Sequence, residues 1–500
     1  MRNLITIGSI LIILISCNSN PIKKLDERSI MHELDRLETT YEKLCIEAGM
    51  EVWEYYSDPG KNSMTNYKES FSGFLLNDSV IHNIKYWYSK SNELSNDTLI
   101  RRLALWNNVV LCGQVDFDPE IIELQNSLET QLSEYPSDAI SDNELELSIL
   151  RLINLRNSKA KKLGYGNYAY LVLQNTGIDT VWFENLILSI DSVCTEEYNV
   201  FIGEHFPNNS DVEYEDLKEY IIQSYLINDN PVIKDEEREK LIYETLSNIG
   251  IEVNDLPIHL EITELPPGIG GFGNCIDIPN DFRAVARKEL SFYYLLHEIG
   301  HGLYWTNVKI KHPVLEGYEW CTGNSEDLYN ESMAEVIAKF SQNKEWLKEN
   351  GFDETSIDRI RNHRKEIYPV YLKLMLVNSL FEIELYKHPE KKPSTIKNEL
   401  YRKFFNVDKD FSKKPNLIQL AYVSYPVYEQ NYLIADIISW QVHEYMEKEY
   451  GENYAMNPEV GSYLVEKLWK DGEMYSWQSK VERATGKELD LKGYLKYLME

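Results

Sequence analysis

Cysteine and positive charge are both scarce in this chain. It has 6 Cys in 500 residues, and 51 Lys and Arg stand against 81 Asp and Glu, which gives a formal net charge of −30. Because such an acidic protein repels a polyanion, the composition excludes nucleic-acid binding and indicates a solvated acidic surface. The cysteines are widely spaced and form no Cys-x-x-Cys pair, which excludes a dense disulfide framework. Hydrophobic residues at 43% and charged residues at 26% are typical of a globular protein with a sizeable core.

The N-terminus carries an apolar run that is predicted to lie outside the fold. Residues 4–15 follow a short basic start and are too few to span a membrane comfortably, so residues 1–16 are predicted to be a signal peptide. The run ends in Leu14-Ile15-Ser16-Cys17, which resembles the lipobox of bacterial lipoproteins. That resemblance implies a lipid on Cys17, a tether over residues 17–26, and a place on the periplasmic or outer-membrane side of a bacterial cell envelope. An ordinary signal peptide with an incidental cysteine is the alternative.

Export would place the remaining cysteines in an oxidising compartment. They are Cys45, Cys112, Cys194, Cys275 and Cys321. Their number is odd, so one or two bridges and buried free thiols both stay open. None of them is predicted to be a metal ligand or a nucleophile.

The chain does contain a metal-binding pattern, His297-Glu298-Ile299-Gly300-His301. Residues four apart share one helix face, so both imidazoles can hold one ion while Glu298 deprotonates a metal-bound water. Glu331, in Asn330-Glu331-Ser332-Met333-Ala334-Glu335, is the predicted third ligand on a second helix. Three protein ligands and one open position make a catalytic zinc site. The alternative is two core histidines satisfied by hydrogen bonds.

Apolar spacing predicts a mainly helical protein. A long helix is expected from Val285 through the histidines to Trp305, and strands are expected at Ile258 to Glu264 and Cys275 to Ile278. The pattern predicts one large, mainly helical domain over residues 27–500, with a small β-sheet next to the zinc helix. Other helices are expected at 27–56, 99–111, 121–132, 145–163, 181–200, 214–226, 332–340, 357–385, 394–404, 434–450 and 460–469.

Several blocks resemble the angiotensin-converting-enzyme-like (M2) gluzincin peptidases and their bacterial relatives, in that family's order over roughly residues 155–445. The blocks are Leu155 to Tyr168, Cys275 with Asp281-Phe282-Arg283, His297 to Tyr304, Asn330 to Ala338, Tyr428-Glu429-Gln430-Asn431-Tyr432 and Ile437 to Glu444. The resemblance implies that the helical domain is a gluzincin peptidase domain with a deep cleft, and that His297, His301 and Glu331 are its zinc ligands. It also implies a base at Glu298, a ligand-orienting carboxylate at Glu335 and an oxyanion-binding phenol at Tyr432. Tyr428, Gly271 and Asn274 are candidate substrate contacts.

The chain departs from that family at the groups that bind substrate. Tyr422 stands near the place of a second oxyanion-binding histidine, and Ile276 replaces a substrate-binding histidine. Leu420 stands where a basic residue holds a peptide's C-terminal carboxylate, with Lys413 and Lys414 the closest lysines. Asn431 replaces an arginine linked to chloride activation, so chloride dependence is not expected.

These observations predict a Zn²⁺-dependent peptidase that hydrolyses short peptides, of the peptidyl-dipeptidase or oligopeptidase type. Oligoendopeptidases, and carboxypeptidases that share His-Glu-x-Gly-His, are the rival hydrolases. A peptide-binding zinc lipoprotein with little or no catalysis is the alternative from another class of protein. It is suggested because the chain lacks the family's second oxyanion-binding histidine. Substrate identity, exo- or endo-cleavage and oligomeric state stay open.

Overall fold

The computed structural model describes residues 26–57, 64–133, 142–207, 212–224, 233, 237–263, 271–288, 290–318, 325–411 and 420–499. These residues are mostly helical and include a small three-stranded sheet, which confirms the predicted fold class. The first helices are α1 (Glu27–Ser57), α2 (Asn66–Leu75), α3 (Asp78–Ser89), α4 (Asp97–Asp116), α5 (Pro119–Ser133), α6 (Asp142–Lys162), α7 (Tyr168–Asn175), α8 (Thr180–His205), α9 (Tyr214–Ser224) and α10 (Arg238–Asn248). The later ones are α11 (Phe292–Thr306), α12 (Pro313–Glu316), α13 (Ser325–Ala338), α14 (Lys344–Glu349), α15 (Glu354–Lys387), α16 (Pro393–Phe405), α17 (Leu420–Ser424), α18 (Gln430–Tyr450), α19 (Glu459–Leu464), α20 (Trp477–Thr485) and α21 (Leu491–Met499).

The sheet lies between α10 and α11 in sequence. Its strands are β1 (Ile258–Thr263), β2 (Gly271–Asp277) and β3 (Asp281–Arg287), in the spatial order β1-β3-β2. The central strand β3 is parallel to β1 and antiparallel to β2. Thus β2 is paired on only one side within this sheet. Both β2 and β3 pack on α11, which sets the sheet against the helix that carries the histidine pair.

The predicted long helix from Val285 is wrong over its first part. Val285 belongs to β3, which ends at Arg287, and α11 begins only at Phe292. The N-cap of α11 is Ser291, whose hydroxyl oxygen accepts a hydrogen bond from the Tyr294 backbone N–H at 3.4 Å. A short apolar run fits a buried strand as well as a buried helix, so periodicity alone did not separate the two. The serine before Phe292 was the signal for the true start.

A stack of three helices forms the centre of the molecule. Helix α11 packs against α13, and α13 packs in turn against α18. The first crossing is close because Gly300 has no side chain: a Cβ there would lie 2.7 Å from Ala334 Cα and 3.1 Å from Ala334 O. The backbones of α11 and α13 are therefore almost in contact where their site residues meet.

We expect Gly300→Ala to destabilise the protein by about 1–3 kcal/mol, because backbone atoms of α13 cannot move aside for the new methyl group. The matched control is Gly203→Ala in α8, where an added Cβ meets nothing within 4 Å. That control should stabilise the fold by about 0.5–1 kcal/mol, since alanine favours helix more than glycine does. Denaturant midpoints of both variants measure the difference. Equal effects of the two substitutions would contradict the close crossing.

A buried ion pair fixes α18 to the end of α13. Lys339, directly after α13, donates to Asp436 Oδ1 and to Ser439 Oγ, both at 2.6 Å. The hydroxyls of Tyr368 and Tyr494 donate to the other oxygen of Asp436. Because every partner is hydrogen-bonded, this buried charge is compensated rather than costly. It sets the position of α18 along α13.

Four of the predicted exported cysteines can be placed. Cys45, Cys112, Cys194 and Cys275 are buried free thiols. For these four, the alternative of free thiols is therefore confirmed over that of disulfide bridges. Cys321 and Cys17 lie outside the described residues, as do the predicted signal peptide and nearly all of the tether. Among the described residues, no helix has the length and apolar character needed to cross a membrane.

Candidate metal centre

The three predicted ligands meet at the α11–α13 crossing. His297 and His301 are one turn apart on α11, and Glu331 faces them from α13. All three are buried, with exposures of 7%, 8% and 5%. One nitrogen of each histidine and one oxygen of Glu331 lie within 4.8 Å of one another.

The distances fit a small tetrahedral ion. His297 Nε2 lies 3.1 Å from His301 Nε2 and 3.2 Å from Glu331 Oε2, and His301 Nε2 lies 3.9 Å from that oxygen. Ligands at about 2.0–2.1 Å from a tetrahedral ion are separated by about 3.3 Å. Glu331 Oε2 has no well-formed hydrogen bond among the described residues. Two facing imidazole nitrogens cannot both donate to each other, whereas one cation binds all three lone pairs.

The protonation of the histidine pair is uneven. Burial lowers the pKa of His301 to about 4. Burial also opposes charge on His297, but the close carboxylates of Glu331 and Glu335, each 3.2 Å from a ring nitrogen, raise the pKa of His297 well above its usual value. The pair thus holds one positive charge between carboxylates, where a divalent ion would replace a proton.

Glu298 lies beside the ligand triangle and is held from the sheet. The backbone N–H of Gly273 in β2 hydrogen-bonds its carboxylate. A Cβ at Gly273 would lie 3.3 Å from Glu298 Oε2 and 2.7 Å from the Phe282 ring, so only glycine leaves room there. Burial raises the pKa of Glu298 to about 7, with the negative charge of Glu331 adding to the rise. A carboxyl group with a pKa near 7 is suited to general acid–base work.

Side chains around the site hold two of the ligands in orientation. Glu335 Oε1 lies 3.2 Å from His297 Nδ1, the ring nitrogen that points away from the other ligands, and Tyr293 donates a hydrogen bond to Glu335 Oε2. Tyr428 donates to Glu331 Oε1 at 2.8 Å. Such partners fix ring and carboxylate orientation in metal sites. Tyr293 was missed in the sequence, although it precedes His297 by four residues and so shares its helix face.

The predicted oxyanion-binding residue, Tyr432, stands next to this group. It is 36% exposed, and its ring centroid lies 5.6 Å from that of Tyr428. Although the residue is partly exposed, neighbouring groups desolvate its phenol, and this desolvation together with the negative charges of Glu331, Glu429 and Glu298 raises the pKa of Tyr432 well above the usual value, so the phenol keeps its proton for donation.

The other candidate substrate residues fall at different places. Gly271 begins β2, and residues 264–270 before it lie outside the described residues. Asn274 is 2% exposed and its side chain donates to Gly49 O in α1 at 2.7 Å, so it links the sheet to this helix. Tyr422 is buried with its ring 5.8 Å from Phe381. Lys413 and Lys414 lie outside the described residues.

A second group of possible ligands, Asp35, Glu38 and His312, was not predicted. Here Arg102 donates to Asp35 Oδ1 at 2.6 Å and to Glu38 Oε1 at 2.9 Å. The guanidinium of Arg102 therefore already pairs with the two carboxylates that a metal ion would have to bind. The group is therefore an ion-pair cluster, and the α11–α13 crossing is the better metal centre.

Comparisons with known proteins follow the fold rather than the sequence. No protein-family model matches this chain, and no curated protein matches it. A solved structure of Trypanosoma cruzi metallocarboxypeptidase 1 covers 95% of this chain and 99% of its own, with 13% identity and a TM-score of 0.69. The M32 carboxypeptidase from Deinococcus radiodurans R1 covers 94% and 98%, with 12% identity and a TM-score of 0.68. The chain shares their fold.

A more distant similarity reaches another group of peptidases. A putative oligoendopeptidase F from Bacillus anthracis str. Ames is 15% identical and covers 96% of both chains, with a TM-score of 0.57. These likenesses show that nearly the whole chain has the helical fold of these proteins. The carboxypeptidases match with the higher TM-scores.

Proposed function

We propose that this protein is a metal-dependent peptidase, with zinc as its ion, that hydrolyses short peptides. The observation that carries the proposal is the meeting of His297, His301 and Glu331 around one point, with Glu298 beside them. The shared fold with proteins named as metallocarboxypeptidase and oligoendopeptidase supports it. Zinc held by these three residues would polarise a peptide carbonyl and make a neighbouring water more acidic.

Side chains of the site would carry out the proton transfer, bind the oxyanion and hold the ligands in place. Glu298 takes a proton from the attacking water and returns it to the leaving amine. Tyr432 donates a hydrogen bond to the oxygen on which negative charge develops. Glu335 with Tyr293 keeps the His297 ring in place, and Tyr428 keeps the Glu331 carboxylate in place.

The mode of cleavage is a finer part of the proposal. The fold favours removal of single C-terminal residues or internal cleavage of oligopeptides, by likeness to the carboxypeptidases and the oligoendopeptidase. Release of C-terminal dipeptides, as in the angiotensin-converting-enzyme-like family that the sequence resembles, is the third mode, but Leu420 stands at the place of the basic residue that this mode needs. The zinc-loaded protein without residues 1–17, incubated with a pool of short peptides, will distinguish these by the masses of its products. No cleavage at full zinc occupancy would reject a peptidase and favour the peptide-binding alternative.

Envelope localisation through a lipid on Cys17 belongs to the proposal on sequence grounds alone. The support is the lipobox-like Leu14-Ile15-Ser16-Cys17 after an apolar run. Labelling of cells with a fatty acid should mark the wild-type protein and not Cys17→Ser. Equal labelling of both would reject the anchor.

We expect Tyr432→Phe to lower kcat by about 10²–10³-fold with little change in KM, since an oxyanion donor acts mainly in the transition state. The ring stays, so packing against Tyr428 is kept. Tyr88→Phe, at an exposed site on α3, is the control and should leave both constants unchanged. A rise in KM alone would assign Tyr432 to substrate binding instead.

A further inference from the structure

The segment before α18 has an unusual backbone. Val427 adopts φ +62°, in the left-handed region that a β-branched residue rarely occupies. A conformation of this kind persists only where surrounding contacts over-determine it. The segment directly precedes Tyr428, which contacts a proposed metal ligand, so whatever fixes it also fixes part of the site.

Glu382, on α15, supplies that constraint. Its carboxylate accepts the backbone N–H of Val427 at 2.7 Å, of Tyr428 at 3.0 Å and of Glu429 at 3.4 Å. The residue is 1% exposed. Three donors converge on one buried carboxylate from a helix 45 residues earlier in the chain.

The same contact reaches the start of α18, because the third donor, Glu429, is the N-cap residue of that helix. The N-cap residue Glu429 provides no side-chain hydrogen bond to the first turn of this helix. The first backbone N–H groups of a helix have no partner within it and need an acceptor group from outside. Here that group comes from another helix. Its position decides where α18 starts, and with it the place of Tyr432 one turn along.

We propose that Glu382 is a positioning residue that sets Tyr428 and Tyr432 over the metal centre. The contact chain is continuous: Glu382 holds the 427–429 backbone, Tyr428 donates to Glu331 Oε1 at 2.8 Å, and the rings of Tyr428 and Tyr432 are 5.6 Å apart. The inference rests on the proposed function for its catalytic consequence, but its structural part does not.

The test is Glu382→Gln in the otherwise complete chain. Glutamine keeps the size of the side chain, yet its amide nitrogen faces N–H groups and cannot accept from them. We expect kcat to fall by about 10–100-fold with KM changed much less, as for other groups that orient metal ligands. Hydrogen–deuterium exchange of peptides covering residues 427–432 should speed up in both metal-free and zinc-loaded protein.

Glu384→Gln is the matched control. It lies two residues further along α15, pairs with Lys387 at 3.2 Å and His388 at 3.4 Å, and should leave exchange and kcat unchanged. Wild-type exchange and kcat in Glu382→Gln would overturn the proposal. If that variant does not fold, Glu382→Asp, which retracts the carboxylate by one carbon, decides in the same way. If the wild-type protein cleaves no peptide, the proposed function fails, and exchange still decides whether Glu382 orders this segment.

Discussion

Glu298→Gln is expected to lower kcat for peptide hydrolysis by about 10²–10⁴-fold or more, the range that one general base contributes. Glutamine has the same shape but no basic oxygen, so water keeps its proton at the moment of attack. The metal ligands are unchanged, and zinc content should remain at the wild-type value. Single-turnover assays beside metal analysis measure the two quantities separately.

The control for that variant is Glu261→Gln, an exposed carboxylate on β1 in the same sheet. It should hydrolyse peptides at the wild-type rate. Full activity of Glu298→Gln would remove the central residue from the proposed mechanism. Loss of zinc together with activity would show instead that Glu298 serves to hold the metal centre.

His301→Ala is expected to abolish zinc binding at the α11–α13 crossing, because two remaining ligands cannot complete a site that needs three. A ligand that binds only the folded protein stabilises it, by about 2.7 kcal/mol at a concentration 100 times its Kd. Zinc should therefore raise the Tm of the wild-type protein and leave that of His301→Ala unchanged. Metal analysis after dialysis and thermal unfolding with and without zinc provide the two measurements.

Two other histidines provide the comparison. His82→Ala removes an exposed imidazole on α3 and should keep both the zinc content and the shift in Tm. His312→Ala removes the one histidine of the Asp35, Glu38 and His312 group and should do the same. Loss of zinc in His312→Ala would mean that this second group, despite Arg102, binds the ion.

Features set by nearby residues could be predicted from the sequence. His297, Glu298 and His301 are close in the chain, and helical spacing alone places them on one face. Most of the predicted long helices are present because each buries an apolar stripe, but α13 begins at Ser325 rather than at 332. Several shorter helices were not predicted, namely α2, α3, α7, α10, α12, α14, α17, α20 and α21. The strand at 281–287 was missed because its apolar residues run straight towards those of α11, and a run of that length fits either structure.

Features set by distant residues could not be predicted. Glu382 and Val427 are 45 residues apart, and nothing in either neighbourhood marks their contact. The side chain of Asn274, a candidate substrate contact, hydrogen-bonds the backbone of Gly49, 225 residues earlier, and the sequence around Asn274 does not indicate that partner. Polar groups of this kind find their partners only once helices have packed, so local pattern carries no signal for them.

The near contact of the α11 and α13 backbones at Gly300 limits the size of ion that the proposed metal centre can bind. The spacing between the histidine pair and Glu331 is set by main-chain atoms of two helices, which do not compress or separate as side chains do. Zinc needs ligands at about 2.0–2.1 Å, whereas calcium needs about 2.3–2.6 Å. To bind a larger ion, α11 and α13 would have to move apart, against the packing of α11, α13 and α18. Selectivity against such ions would then depend on the helix crossing as well as on the ligand atoms.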